Sequence, residues 1–428
     1  MYKIYLKQAW ALLKESKLLS GVSVFGTALA ICMVMVIVIV WQIRTASYSP
    51  EDNRDRTLYV SWAVANGIEN PEINNVTMLA SRVVKECFYP SELAEAVGMA
   101  SHVYQTLLSL PDHTTEFKGD ICYTDAGFWQ VFNFHFLAGK PYDKAAVTSG
   151  LFDAVISESS ARRLFGTTDA VGKRIELSYV SYTVRGVVAD VSILASDAYG
   201  DVWVPYTSSK TLFDNSCERL LGAYSCYILA RSTADLPTLK EELLANVERM
   251  NASQREYRLK LNGEPDTILA RLVRDGDAMI EPEVSKAVLR YLLIGALILL
   301  IPAINMSGLT LSRMRKRMAE LGVRRAFGAT RAQLVGQILC ENLLQTFLGG
   351  LVGLAFSYGA VTTLTGWLLP ADEAGVSEVF LNVDMLFNPL IFLFALGLCL
   401  LLNLLSAGIP AWRGAKVPVV EAIRGSEV

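Results

Sequence analysis

Four stretches of the chain carry apolar residues without the periodic charges of a half-buried helix or strand: Leu18–Ile43, Tyr291–Ser312, Asn342–Ala371 and Met385–Trp412. They run for 26, 22, 30 and 28 residues and contain no Asp, Glu, Lys or Arg. About 20 helical residues cross a hydrocarbon core of about 30 Å. The pattern predicts four transmembrane helices, at 18–43, 288–312, 334–369 and 387–410. Between the first two, the pattern changes. Leu236–Met250 places Leu239, Leu243, Val247 and Met250 on one helical face, with Pro237 early, where its missing N–H costs little. Ile175–Leu177 and Tyr182–Val191 are rich in β-branched residues and read as strands, the second interrupted by Gly186. Ser157–Phe165 reads as a short helix stopped by Gly166. Pro90-Ser91-Glu92 ahead of Leu93, Ala96 and Val97 reads as a capped short helix, and Arg255–Val284 as a polar, strand-like return to the membrane. The predicted fold class is therefore a membrane protein, four transmembrane α-helices with a large mixed α/β domain at 44–287 between helices 1 and 2.

Composition agrees. Of the 428 residues 52% are apolar by type and 19% charged, where soluble domains carry about 25%. Arg44–Arg290 holds 25 Lys+Arg against 33 Asp+Glu, a balance of −8, and is long enough for its own core in two subdomains. The overall charge of −3 gives no support to nucleic-acid binding. Positive residues cluster beside the membrane runs at both termini and after helix 2. Lys3, Lys7, Lys14 and Lys17 precede helix 1; Arg313, Arg315, Lys316, Arg317, Arg324, Arg325 and Arg331 follow helix 2; Arg413, Lys416 and Arg424 follow helix 4. The outer loop at 370–386 has instead Asp372, Glu373, Glu378 and Asp384. Positive residues near membrane ends stay cytoplasmic, so both termini (1–17 and 411–428) and the 313–333 loop face the cytoplasm. The 44–287 domain is extracytoplasmic. Residues 2–14 form an amphipathic pattern suited either to lying on membrane lipids or to extending helix 1. Of the seven cysteines, Cys87, Cys122, Cys217 and Cys226 lie outside, where an oxidising compartment allows either a disulfide or free thiols.

Catalytic and metal motifs do not emerge. Gly166–Arg174 looks like a phosphate loop, but five residues separate Gly166 from Gly172 and Arg174 stands where a Mg²⁺-binding hydroxyl is needed. It reads as a helix stop and a turn into a strand. His102, His113 and His135 lack metal spacing. The chain is read as non-catalytic, with no cofactor of its own.

The informative stretch starts in helix 2 and ends at Arg331. A basic ridge, Arg313-Met-Arg315-Lys316-Arg317, leads into Glu320-Leu321-Gly322-Val323-Arg324-Arg325-Ala326-Phe327-Gly328. A short helix exposing Leu321, Val323 and Phe327 among charges is built to dock a partner, since such apolar knobs would otherwise sit in water. Gly328 ends it, and Thr330 is placed to cap the next helix. In the membrane, Gly349, Gly353 and Ser357 form a small-residue stripe suited to close helix packing, within the protomer or between two. Pro302 predicts a kink, with Asn305 as a structural hydrogen-bonding group.

The Glu320–Gly328 segment resembles the cytoplasmic coupling element of FtsX-like ATP-binding-cassette (ABC) permeases, Glu-Leu/Ile-Gly-hydrophobic-Arg-x-Ala-x-Gly-Ala. The tail Pro410–Arg424 resembles the ending of that family, with one extra residue before Glu421. Phe128–Pro141, Ala154–Gly166, Val171-Gly172-Lys173 and Val184–Val188 resemble the periplasmic core domain of MacB-type permeases. The resemblance implies an inner-membrane permease that works as a homo- or heterodimer with cytoplasmic ABC ATPase subunits, which would bind the ATP and Mg. With no nucleotide-binding segment before helix 1, it places the ATPase on a separate chain. Arg315 and Glu320–Gly328 are then the ATPase-coupling residues. Export by mechanotransmission is the expected function, with a periplasmic adaptor and outer-membrane channel as further partners. A regulatory coupler of an envelope enzyme and a lipoprotein-release permease are the alternatives. Residues 55–111 show no match to the family core.

Overall fold

In the computed structural model, the described residues are 10, 17–70, 72, 74–209, 217–274, 276–297, 300, 323–324, 326–363 and scattered positions between 393 and 404. The chain divides into two compact units, Arg44–Ala287 (with 371–382) and the remainder.

The strands of the Arg44–Ala287 unit are β1 (Thr57–Val60), β2 (Ala63–Gly67), β3 (Asn74–Leu79), β4 (Ala94–Ser101), β5 (Tyr104–Ser109), β6 (Glu116–Thr124), β7 (Phe136–Gly139), β8 (Asp153–Ser157), β9 (Arg174–Leu177), β10 (Val180–Val188), β11 (Val202–Pro205), β12 (Leu221–Gly222), β13 (Tyr224–Ala230) and β14 (Tyr257–Lys260). They pair in the order β11-β8-β10-β9-β5-β6-β4-β13-β3-β2-β14. A further β11–β6 pairing closes the first six into a ring. Leu108, Ile121, Ile156, Ile175 and Val184 are part of the core cluster there. The β8–β10 and β11–β6 pairs are parallel, and the other ladders antiparallel. A second cluster packs Leu239, Leu243, Val247 and Met250 against β13 and its neighbours, and a third gathers Phe128, Phe132, Trp203 and Tyr227.

Several elements follow the sequence closely. The helix Glu158–Phe165 is capped by Ser157, whose side chain accepts from Ser160 N, and ends at Gly166 in the left-handed region (φ 70°). Gly172, also at positive φ, turns the chain into β9, so the phosphate-loop lookalike is a helix stop and turn. The predicted break at Gly186 is a register shift in the β10–β8 ladder. Leu236–Asn251 is helical with the expected four side chains buried.

The 90–97 segment differs. It is no helix; Ala94–Ser101 is strand β4, paired with β13 over seven positions. Ala and Glu favour a helix locally, but pairing with the fully buried β13 decides the outcome. Gly98 shows what that pairing demands, since a Cβ there would lie 2.6 Å from Phe128 N and 2.7 Å from Phe128 Cα. Both are backbone atoms and cannot step aside. Gly98→Ala is therefore expected to lower stability by about 2 kcal/mol or more, read as earlier proteolysis of the outer domain on heating the full chain. Among the described residues of the predicted 255–284 strand-like stretch, Tyr257–Lys260 is strand and Ile268–Arg274 is helical. Cys87, Cys122, Cys217 and Cys226 are free thiols, the first buried with its Sγ 3.4 Å from Met250 Sδ.

In the other unit, helix α1 (Lys17–Thr45) and helix α2 (Arg331–Thr363) contain apolar spans long enough to cross a membrane, Val24–Thr45 and Gln333–Thr363. The chain is also helical from 284 to 297. Most of predicted helix 4, the outer end of predicted helix 3, and nearly all of the amphipathic N-terminal segment lie outside the described residues.

Candidate functional site

Three pieces of geometry bear on function. The first is the turn before α2. Arg315, Glu320, Leu321, Gly322, Arg325 and, further back, Asn305 lie outside the described residues. Val323, Arg324, Ala326, Phe327 and Gly328 are placed. A helical turn ends there, with Phe327 N donating to Val323 O (3.1 Å) and Ala329 N to Arg324 O (3.0 Å). Gly328 takes φ 94°, which reverses the chain. Thr330 then opens α2 with a reciprocal cap. Its Oγ1 accepts from Gln333 N (3.3 Å), and Gln333 Oε1 accepts from Thr330 N (2.9 Å). Arg324 Nη1 donates to Gln337 Oε1 (2.7 Å), which ties the turn to the first turns of α2. Phe327 is left 88% exposed and Val323 45% exposed. Gln337 in turn donates to Glu341 Oε1 (3.3 Å).

The second piece is the small-residue stripe. A Cβ at Gly349 would lie 2.8 Å from Thr27 Cβ, and one at Gly353 would lie 2.6 Å from Ala28 O. Ser357 is fully buried and its Oγ donates to Leu354 O (2.7 Å). The stripe thus packs α2 against α1 of the same chain. Gly350 faces another helical segment, where its Cβ would lie 2.6 Å from Leu396 Cδ1.

The third piece was invisible to motif reading. Where α1 passes into the outer domain, Arg54 is buried and multiply bonded. Its Nε donates to Glu51 Oε2 (2.5 Å), Nη1 to Ala46 O (3.2 Å), and Nη2 to Tyr48 Oη (2.8 Å) and Leu194 O (3.1 Å). Glu51 Oε1 accepts from Asp197 N (3.2 Å), while Asp197 pairs with Arg271 and accepts from Tyr227 Oη (3.1 Å). Burial works to raise the Asp197 carboxyl, but Arg271 beside it overrides this and holds it below its ordinary value. The Arg271 guanidinium also lies over the Tyr59 ring, 4.9 Å from its centre. Tyr59 exchanges two backbone hydrogen bonds with Asp266, both 2.8 Å. Asp266 holds Arg274 (2.6 Å), whose Nη1 donates to Ile280 O (2.6 Å) just before the 284–297 helix.

Glu264 completes this region. Its Oε2 accepts from Ser61 N (2.9 Å) and Trp62 N (3.1 Å). Burial pushes its carboxyl up from 4.5 to about 7. The folded state then binds a proton that the unfolded state has released, so stability falls as pH rises between these two values. Asp125, raised by burial to about 6, adds a slope of the same sign at lower pH. Glu264→Gln keeps an acceptor for the two N–H groups. It is expected to flatten most of the loss between pH of about 6 and 7, checked by thermal protease protection of the outer domain in the full chain.

Comparison with known proteins decides the family. Residues 20–246 match the MacB-like periplasmic core domain, a span that includes the 55–111 segment whose sequence shows no visible match, and residues 292–419 match the FtsX-like permease C-terminal domain. The chain belongs to the MacB- and FtsX-type ABC transporter permeases. Relatives include the macrolide export ATP-binding/permease protein MacB of Burkholderia cenocepacia (strain HI2424), 28% identical over 54% of this chain and 32% of that one. The pyoverdine export ATP-binding/permease protein PvdT of Pseudomonas savastanoi pv. phaseolicola is 26% identical over 58% and 35%. The ABC transporter permease YknZ of Bacillus subtilis is 22% identical over 73% and 71%. This permease therefore spans about a third of the length of the exporters it matches.

Within the permease the structure joins the stripe to helix 1 and places the exposed knob at the start of α2. It adds Tyr48, Glu51, Arg54, Asp197, Arg271 and Arg274, which sequence reasoning missed. Glu51 and Arg54 at i, i+3 gave a faint local signal; Asp197 and Arg271 are 74 residues apart and gave none.

Proposed function

We propose that this permease couples ATP hydrolysis by a cytoplasmic ATPase to movement of its extracytoplasmic domain, driving export without cargo passing between the membrane helices. The observation that supports this reading is the packing within the membrane unit. An exposed aromatic knob at Phe327 is fixed by Arg324 to the start of α2, and α2 lies without intervening side chains on α1. Helix α1 then runs to Thr45, at the threshold of the outer domain.

The 428 residues hold no nucleotide-binding motif, so the ATPase comes from outside them. In this reading two permeases, like or unlike, sit in the inner membrane with both termini inside, and ATPase closure drives them together. ATP and Mg belong to the ATPase. Relatives named for macrolide and pyoverdine export favour export over regulation of an envelope enzyme or lipoprotein release. A periplasmic adaptor and an outer-membrane channel are the partners that export would require. Purifying the full chain from native membranes tests the core of this reading. An ATPase should accompany it, and recovery without one, under conditions that keep membrane complexes intact, would overturn the proposal.

A further inference from the structure

The buried polar network of the outer domain connects two places that sequence separates by more than 200 residues. At one end Arg54 holds Ala46 O, one residue past α1. At the other Arg274 holds Ile280 O, four residues before the chain becomes helical again at 284. Between them the contacts pass through Glu51, Asp197, Arg271 and the Tyr59–Asp266 backbone pair.

Holding the fold together does not require such an arrangement. Replacing a buried ion pair with apolar residues of similar size is often neutral or stabilising. What charges supply and methyl groups cannot is direction. Each guanidinium has five donors in a fixed plane, and Arg54 spends its donors on Ala46 O, Tyr48 and Glu51 in one stretch of chain and on Leu194 O in a second, distant one. Tyr48 repeats the fastening, its Oη donating to Leu194 O (2.7 Å). An apolar contact permits sliding of a connector, whereas a set of directed bonds to its backbone resists it.

We propose that Tyr48, Glu51, Arg54, Asp197, Arg271 and Arg274 form a mechanical joint that locks the two membrane connections of the outer domain to each other, so that the domain follows both helices as one lever. This rests on the ATP-driven movement proposed above. These are positioning residues; none is asked to touch cargo.

The test uses the full permease with its ATPase in lipid nanodiscs. A donor–acceptor dye pair on Ser149→Cys and Gly359→Cys reports the outer domain against α2. ATP with vanadate is expected to shift energy transfer in the otherwise unchanged chain. Glu51→Leu with Arg54→Met removes both charges together and leaves neither buried alone. This variant is expected to keep ATPase association and hydrolysis within about twofold and to lose about two-thirds or more of the shift. A merely structural role would instead lower protein yield, hydrolysis and shift together. Tyr48→Phe removes a single hydroxyl and is expected to lose about half of the shift, which decides the matter should the double variant not accumulate. A full shift in either variant overturns the joint while leaving the ATP-driven reading intact. No shift in the unchanged chain overturns that reading, and the joint falls with it.

Discussion

Phe327→Asp is expected to release the ATPase from the permease in a pull-down from native membranes, with the amount of permease in those membranes unchanged. Both halves of this expectation follow from exposure. At 88% exposed, Phe327 contributes little to the packing of the chain that carries it, so its loss costs the permease almost nothing by itself. At the centre of an interface, a buried aromatic commonly contributes 2 kcal/mol or more, about 30-fold in affinity. An aspartate in its place must also be desolvated beside the partner, and binding should weaken by about 100-fold. Phe327→Leu keeps an apolar knob and should retain most association. The measurement is ATPase recovered per permease at fixed salt. Recovery within threefold of normal for the aspartate variant sinks the docking role of this turn.

Charge reversal of the same element gives a companion test. Glu320→Lys with Arg324→Glu should also release the ATPase, but for two reasons. It inverts the charges offered to the partner, and it breaks the Arg324–Gln337 hydrogen bond that holds the turn against α2. Gln337→Leu separates these causes, because it breaks the tether and leaves both charged residues in the sequence. It should weaken association far less than the reversal.

Elements whose fate is set locally were legible in the sequence. Ser157 and Gly166 bracket their helix because one side chain accepts a helix N–H and the other residue tolerates a left-handed backbone. Leu236–Asn251 carries its apolar face in its spacing, and Thr330 caps α2 with chemistry contained in four residues. The membrane runs behave likewise where they are described, since length and charge depletion are local properties.

Elements whose fate is set at a distance were not legible. Ala94–Ser101 has a helical composition and becomes a strand because β13 pairs with it and Phe128 crosses at Gly98. The closed ring of strands depends on a parallel pairing between Val202–Pro205 and Ile121–Thr124, which no turn or hairpin signal announces. Asp197 and Arg271 look like ordinary surface charges until the fold buries the carboxylate and pairs it with the half-buried guanidinium. The glycine stripe is an intermediate case. Its spacing shows that something must approach closely, but the identity of the neighbour, α1, is a property of the packed unit alone.

That neighbour makes the stripe the site of the second large effect. Gly349→Val with Gly353→Val should prevent α2 from seating on α1 and sharply reduce the permease that accumulates in the membrane. At Gly353 even a Cβ would stand 2.6 Å from Ala28 O and 3.1 Å from Ile31 Cβ; at Gly349 it would stand 2.8 Å from Thr27 Cβ and 3.1 Å from Val24 O. Two of these four atoms are backbone carbonyl oxygens, so side-chain rotation gives no relief. Overpacking costs about 1–3 kcal/mol at each site, and separating the helices also forfeits the close packing on which membrane association depends. Two such sites on one face together cost about 2–6 kcal/mol, which reaches the lower end of the stability of a typical domain, about 5–15 kcal/mol. Gly359 lies on the same helix with nothing within 4 Å of its Cβ position, and Gly359→Val should be accepted. The contrast removes composition as an explanation, since all three changes exchange glycine for valine within one membrane helix. Normal accumulation of the double variant, judged by quantitative blotting and by ATPase recovery, would show that α1 and α2 do not meet along this stripe. The path from the knob to the outer domain would then have to run through another helix.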